Sequence, residues 1–278
     1  MNLMTALGIA DAMRWEPRAS WLGPSSGSLR VPIGEDVRGQ EVVWLNLAPP
    51  SEGGHGRHGW MAGMPSSART SVLSTIVLGL CARYSPEYLN VAMLNGYTSS
   101  EELAGLPHVV VGSGALGADV RALAELVDDR ERRWRSQPGE HLGDVAQLVV
   151  LVSAESLTAA AEVAESCLSR GAALGIRLLV CSESGSLPGP LMFHRGSLGY
   201  RLALPMSDAR HSREVIGTDD ATTLRRREGI LSTAWSPVHD AHRRLRFFDA
   251  DDPATPEGSQ RPRPIWWALR QRLVPVAR

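Results

Sequence analysis

The 278-residue chain contains no lysine. Arginine alone carries its basic charge, 29 residues against 30 aspartates and glutamates. The formal net charge of −1 removes any global attraction for a polyanion such as nucleic acid. Exclusive use of arginine fits a high-GC coding bias. Cysteine is scarce as well: Cys81, Cys167 and Cys181 are scattered, with no C-x-x-C spacing. That excludes a disulfide framework and a zinc ribbon, and predicts buried thiols in a reducing compartment. No apolar run approaches the roughly 18 residues of a membrane span. The first residues, with Asp11 and Arg14 in a short amphipathic stretch, lack the basic start and apolar core of a signal peptide. A cytoplasmic location is expected, at the inner membrane face where partners hold the protein there.

What is present is a chain that is 43% hydrophobic, enough for one large domain with appendages. Residues 2–14 read as a short helix and 15–28 as a connector. Strands are expected at 29–33 and 42–47 around a turn at 34–40, and at 58–63 after a Pro/Gly-rich loop. Residues 70–83 read as a helix, with Val72, Leu73, Ile76, Val77 and Leu80 on one stripe. Strands at 89–94, 108–112, 148–152 and 176–181 then alternate with helices at 116–135 and 157–173. The continuous apolar runs predict burial on both faces of a mainly parallel α/β sheet. A strand at 197–204 and a helix near 208–216 follow. Residues 249–264, rich in Pro, Asp and Glu, read as a mobile linker, and 264–273 as a closing helix.

The segment Gly63-Met64-Pro65-Ser66-Ser67-Ala68-Arg69-Thr70 stands between an expected strand and an expected helix. It fits the frame of a phosphate-binding Walker A loop, G-x-x-x-x-G-K-[ST], at Gly63 and Thr70. Ala68 stands for the second glycine and Arg69 for the lysine. A phosphate cradle needs glycines so that successive N–H groups point inward without a Cβ clash. It also needs a compact ammonium, which the longer, planar guanidinium does not replace.

An ordered series of segments carries a family resemblance. It comprises Leu29–Gly34, Gly53–Gly59, Ser74–Leu80, Ser85–Asn90, Leu106–Val109 and Leu174–Leu179. From about Leu7 to Phe248 the chain resembles the FtsK/SpoIIIE-type ATPase domain of EccC, the motor of type VII secretion. The resemblance implies a RecA-like P-loop NTPase core over 29–248, with an N-terminal helix and connector (1–28) and a linker and C-terminal helix (249–278). The departures fall on the chemistry. Where the family has glycines in the phosphate loop, this chain has Ser66 and Ala68. Where the strand 148–152 should lead into the Walker B Asp-Glu pair, it has Ser153-Ala154. Glu155 follows one position later, expected on the other side of the chain. The family's Ser-Gln-Arg-type ending of the sensor strand becomes Ser182-Glu183-Ser184, and its Asp-Phe-Lys-Gly-Gly segment becomes Asn95–Ser99. Phosphoryl transfer is nearly all positioning and electrostatics, so losing the lysine and both acids removes most of the mechanism.

The expectation is therefore a catalytically silent, pseudo-ATPase domain without a cofactor, serving as a binding or scaffolding component in type VII secretion. Its partners would be secretion-motor ATPase domains or small helical secretion substrates, with oligomerisation open. Trp235, Trp266 and Trp267 are the candidate contact residues, against packing on their own domain. Two alternatives stand beside this. Arg69 and Thr70 could still hold ATP with magnesium at a helix N-terminus, against Thr70 as a plain cap. The arginine clusters 225–227 and 243–244 could make the chain a DNA-associated module, against salt-bridged surface. Other motifs read as incidental. Gly23–Gly27 satisfies G-x-S-x-G but lies in a connector, not at a nucleophile elbow. His55 and His58 lack a third ligand, so no metal is expected.

Overall fold

A computed structural model describes residues 1–23, 29–38, 41–94, 103, 105–136, 145–233, 242–254 and 263–274. Ten strands form one sheet in the order β2-β1-β10-β9-β8-β3-β7-β6-β4-β5. They are β1 (Arg30–Asp36), β2 (Val42–Asn46), β3 (His58–Ala62), β4 (Leu89–Leu94), β5 (Val109–Val111), β6 (Gln147–Val152), β7 (Ile176–Ser182), β8 (Leu198–Ala203), β9 (Glu228–Ser232) and β10 (Arg243–Phe247). The block from β8 to β5 is parallel throughout. From β8 outward to β2 the sheet turns antiparallel. A two-stranded ribbon, β11 (Pro253–Ala254) with β12 (Arg263–Pro264), stands apart.

The helices are α1 (Leu3–Ala6), α2 (Pro17–Ser20), α3 (Ser66–Arg83), α4 (Leu116–Ser136), α5 (Ala161–Arg170), α6 (Ala209–Ile216) and α7 (Ile265–Leu273). Successive side chains of the central strands feed opposite faces. Met61, Val149, Leu151, Leu179 and Cys181 join a core with α1, α3 and α7. Trp60, Leu148, Val150, Leu178 and Val180 join a second core with α4, α5 and α6. Burial on both faces is why β6 and β7 are apolar without alternation. Helix α3 is buried almost all round from Val72 to Ala82, so its Leu and Ile side chains contribute roughly 1.5–3 kcal/mol each. Gly79 lets it approach β1 closely: a Cβ there would lie 2.6 Å from Val31 Cγ2.

Several boundaries differ from the sequence reading. The 2–14 helix is only Leu3–Ala6, and the connector holds the single turn α2. Strand β1 runs through the expected turn to Asp36 because its far end pairs with β10. Helix α5 starts at Ala161 rather than 157, after a turn in which Ser153 and Ser156 close on each other. The expected mobile linker is tied down where it is described. Asp249 accepts from Ser71 Oγ at 2.9 Å, and Arg227 grips Asp252 through both terminal nitrogens, at 2.9 and 2.6 Å. The largest change concerns α3. It begins at Ser66, four residues before Thr70, so only Gly63-Met64-Pro65 separates strand from helix.

Candidate functional site

The site is built where three parallel strands end together. Ala62 at the end of β3 is in register with Ser182 at the end of β7, and β7 in turn carries β6 beside it. The turns that follow, 63–65, 153–156 and 183–184, therefore converge at the carboxyl edge of the sheet, the usual ligand edge of open α/β folds.

Gly63 is the only residue of the 63–70 segment with a left-handed φ, 129°. A Cβ at Gly63 would meet Leu204 Cβ at 2.8 Å, so both backbone and packing require glycine. Beyond it, none of Ser66, Ser67, Ala68 or Arg69 has a glycine's freedom, and all four are helical after the extended Pro65. The Pro65 carbonyl accepts from the amides of Ala68 (3.0 Å) and Arg69 (3.4 Å). Thr70 is neither a cap nor turned outward. Its Oγ1 donates to the Ser66 carbonyl at 3.2 Å, one turn back.

Arg69 occupies the centre of the site and is 1% exposed. One terminal nitrogen donates to the Gly63 carbonyl at 2.6 Å and approaches Met64 Sδ at 3.4 Å. The other reaches Glu155 Oε1 at 3.2 Å and Glu183 Oε1 at 3.3 Å. A single buried cation thus staples all three strand ends. The Glu155 and Glu183 side chains are 40% and 59% exposed, so the cluster's outer rim is negative and wet. The sequence reading had Glu155 on the far side of the chain, and the structure corrects this. The chain turns at 153–156, where the Ser156 amide donates to the Ser153 carbonyl at 3.1 Å, so strand alternation no longer applies. Sequence reasoning missed both carboxylates as partners of Arg69. An arginine at the lysine position with new glutamates at two neighbouring strand ends was the available signal.

At the Walker B position, Ser153 is buried and its hydroxyl donates to Ser156 Oγ at 3.1 Å. Ala154 is half-buried beside it. Two clefts flank the start of α3. One, of about 450 Å³, is walled by Ala154, Glu155, Glu183, Leu187 and Pro188. The other, of about 500 Å³, is walled by Pro65, Ala68, Phe247, Phe248, Asp249 and Arg227. Cys181, behind the site, is fully buried, and burial pushes its thiol up to about 12.

The remaining candidates lie elsewhere. Trp266 and Trp267 are half-buried and pack against their own domain's core. The Trp266 amide donates to the Ala250 carbonyl at 2.9 Å, and Trp267 lies 5.1 Å from the Arg263 guanidinium. Trp235, Asn95–Ser99 and residues 24–28 of the G-x-S-x-G match lie outside the described residues. His55 Nδ1 accepts from the Asn46 amide at 3.1 Å and His58 Nδ1 from the Leu178 amide at 3.2 Å. Burial first, and then Arg57 and Arg177, bring His58 from 6.5 down to about 4. Within the arginine clusters, Arg227 binds Asp252, Arg243 binds Asp36 and Arg244 binds Glu228.

The sequence profile of the FtsK/SpoIIIE family matches residues 19–223. The ESX-4 secretion system protein EccC4 of Mycobacterium tuberculosis is 31% identical over 250 residues, covering 78% of this chain and 20% of that protein. The ESX secretion system protein EccC of Thermomonospora curvata is 31% identical over 256 residues, covering 81% of this chain and 19% of that one. The chain therefore spans about a fifth of the length of these curated relatives. Among solved structures, the cytoplasmic domain of the T. curvata type VII secretion ATPase EccC superposes with a TM-score of 0.81. The identity is 25%, over 99% of this chain and 34% of that one. ATPases 2 and 3 of T. curvata EccC, solved in complex with a signal sequence peptide, give a TM-score of 0.64 at 18% identity, over 94% of this chain and 47% of that one.

Proposed function

The chain belongs to the FtsK/SpoIIIE family, and we propose that within it the protein is a pseudo-ATPase domain of the EccC kind, working by protein contact instead of ATP hydrolysis. The observation that carries this reading is the state of Arg69. Its guanidinium is buried and held by the Gly63 carbonyl and by two carboxylates of its own chain. A nucleotide phosphate at the start of α3 would have to displace those carboxylates from a cation already neutralised twice over. The amides of Ala68 and Arg69 are spent inside the helix, so they do not aim at an anion. Ser153 and Ala154 offer no carboxylate to magnesium. ATP and its metal do not fit this donor set.

A domain without chemistry still has two large apolar cores to maintain, and protein contact is the remaining use for it. Partners of the expected kind are a secretion motor's ATPase domains or a small helical secretion substrate. The signal-peptide complex of the T. curvata relative supports that class of partner. No described helix is long and apolar enough to cross a membrane. Trp266 and Trp267 keep part of their surface exposed for contact. The DNA-associated alternative is weakened because Arg227, Arg243 and Arg244 are already matched by carboxylates. The alternative of a residual ATP site built on Arg69 is weakened by the same ion pairs that support the main reading.

The test is phosphate release by the purified protein with Mg-ATP. The expected rate is background. A turnover of about one per second, typical of slow enzymes, that disappears in Arg69→Ala would refute the proposal.

A further inference from the structure

Among the described residues, four arginines are buried, and one of them differs from the other three. Arg69 has its carboxylates. Arg130 donates to the Leu174 and Ala146 carbonyls at 3.0 and 2.6 Å. Arg177 donates to the Leu47 carbonyl at 3.0 Å and to Gln147 Oε1 at 2.6 Å. Arg201, in β8, is 7% exposed and makes no hydrogen bond, ion pair or ring contact among the described residues; its Nε, like that of Arg130, is buried and unsatisfied. Burial, and then the neighbouring Arg195 cation, depress its pKa. A largely buried guanidinium that reaches the surface without an anionic partner is a place where a ligand could supply one.

Its surroundings fit that role. Arg201 stands opposite Trp60 in the β3–β8 ladder, so the two share one sheet face. The Arg195 guanidinium lies over that same Trp60 ring, 5.6 Å from its centroid. Arg195 is also a wall of an open cleft of about 440 Å³, closed on the other side by Arg210, Arg213 and Glu214 of α6. Helix α6 is fixed at both ends: Asp208 caps it by accepting from the Arg210 amide, and Gly217 ends it in a left-handed turn. Glu214 is matched to Arg210 at 3.2 Å and Asp219 to Arg213 at 3.9 Å. Among the described residues, neither Arg195 nor Arg201 has an ion pair. On the same loop as Arg195, Met192 and Phe193 project into solvent, Phe193 at 91% exposure. An exposed aromatic next to arginines has the composition of a protein-contact hot spot.

We propose that the basin walled by Arg195, beside the exposed Phe193 and the paired Trp60 and Arg201 of the sheet, receives an aspartate or glutamate side chain of a protein partner. The proposal rests on the protein-contact reading above and gives it a place. A planar monoanion suits the forked guanidinium, and the adjacent Phe193 supplies apolar contact that an inorganic ion would not use. Duplex DNA does not fit a single basin on a chain with a net charge of −1.

The test is fluorescence anisotropy of the full chain with a fluorescein-labelled peptide of alternating glutamate and leucine. The same peptide with glutamine for glutamate, a labelled DNA duplex and inorganic phosphate run beside it. The glutamate peptide is expected to bind, the glutamine peptide and the duplex not to, and phosphate not to displace it. Arg201→Met should weaken binding about thirtyfold while the melting temperature stays the same or rises, because an unpaired buried charge is removed. Arg195→Ala and Phe193→Ser should weaken it in the same direction, and Arg195→Ala carries the test if Arg201→Met does not fold. Equal binding of both peptides, or unchanged binding by the variants, would overturn the proposal. Displacement by phosphate, or duplex binding that depends on Arg201, would also overturn it, assigning the basin to a phosphate. ATP hydrolysis would refute the earlier reading without touching this result.

Discussion

Removing the buried cation at the strand ends should cost less than stranding it. Arg69→Met deletes the charge-assisted bond to the Gly63 carbonyl, worth roughly 1.5–3 kcal/mol. It also deletes two ion pairs to half-exposed carboxylates, worth about 0–1 kcal/mol each, and both glutamates can turn back into water. The expected loss is about 2–4 kcal/mol, or roughly 6–12 °C in melting temperature for a chain of this size. Glu155→Gln or Glu183→Gln alone should cost under about 1 kcal/mol, because the other carboxylate remains. The double variant leaves the guanidinium buried with neither counter-charge, which costs about 3–5 kcal/mol. The two glutamine changes should therefore be strongly non-additive, a coupling of about 1–3 kcal/mol. Urea unfolding of the wild type, the three single variants and the double measures every term. An additive double variant under about 2 kcal/mol, or a neutral Arg69→Met, would refute the reasoning.

Further outcomes follow from other parts of the structure. Arg69→Lys restores the lysine of the motif but not the loop, so phosphate release from Mg-ATP should stay at background; a clear gain would mean that side-chain identity alone silences the site. Gly63→Ala should cost about 2–3 kcal/mol, since it combines a left-handed φ with a close approach to Leu204, and a melting temperature within a degree of wild type would count against this. His58 is held neutral in the fold, so its contribution is present above about pH 6.5 and is lost as pH falls toward about 4, on the order of 3 kcal/mol in all. His58→Asn, which keeps an acceptor for the Leu178 amide, should make the acid limb of the stability profile shallower, though not flat, because burial lowers His55 and His108 as well. An unchanged limb would remove His58 from the account.

The central fold was legible because its strands are buried on both faces. Continuous runs such as Leu148–Val152 and Ile176–Cys181 have few other readings, and the helices between them follow from their length and stripe. In the antiparallel half, β1 and β2 were legible, and β9 and β10 were not. Strand β10 carries three arginines in five residues, alternating outward with buried Leu245 and Phe247, and β9 begins with Glu228. Charge on the outer face hid the period of two. The start of α3 was misplaced because the motif frame implied a loop where the residues permit a helix. Arg69 was found from the motif, but its partners were not, because they come from strand ends 86 and 114 positions away. Arg201 is a sharper case: an arginine inside the apolar run Leu198–Ala203 was visible in the sequence, and only burial without a partner gives it meaning.

The account turns on whether nucleotide still finds the start of α3, and thermal unfolding with and without millimolar Mg-ATP asks that directly. A ligand at a hundred times its Kd adds about 2.7 kcal/mol to stability. With Arg69 already held by Glu155, Glu183 and the Gly63 carbonyl, the predicted shift is none. A rise of several degrees that is absent in Thr70→Trp would mean that the pocket is a working nucleotide site, and would contradict the central claim.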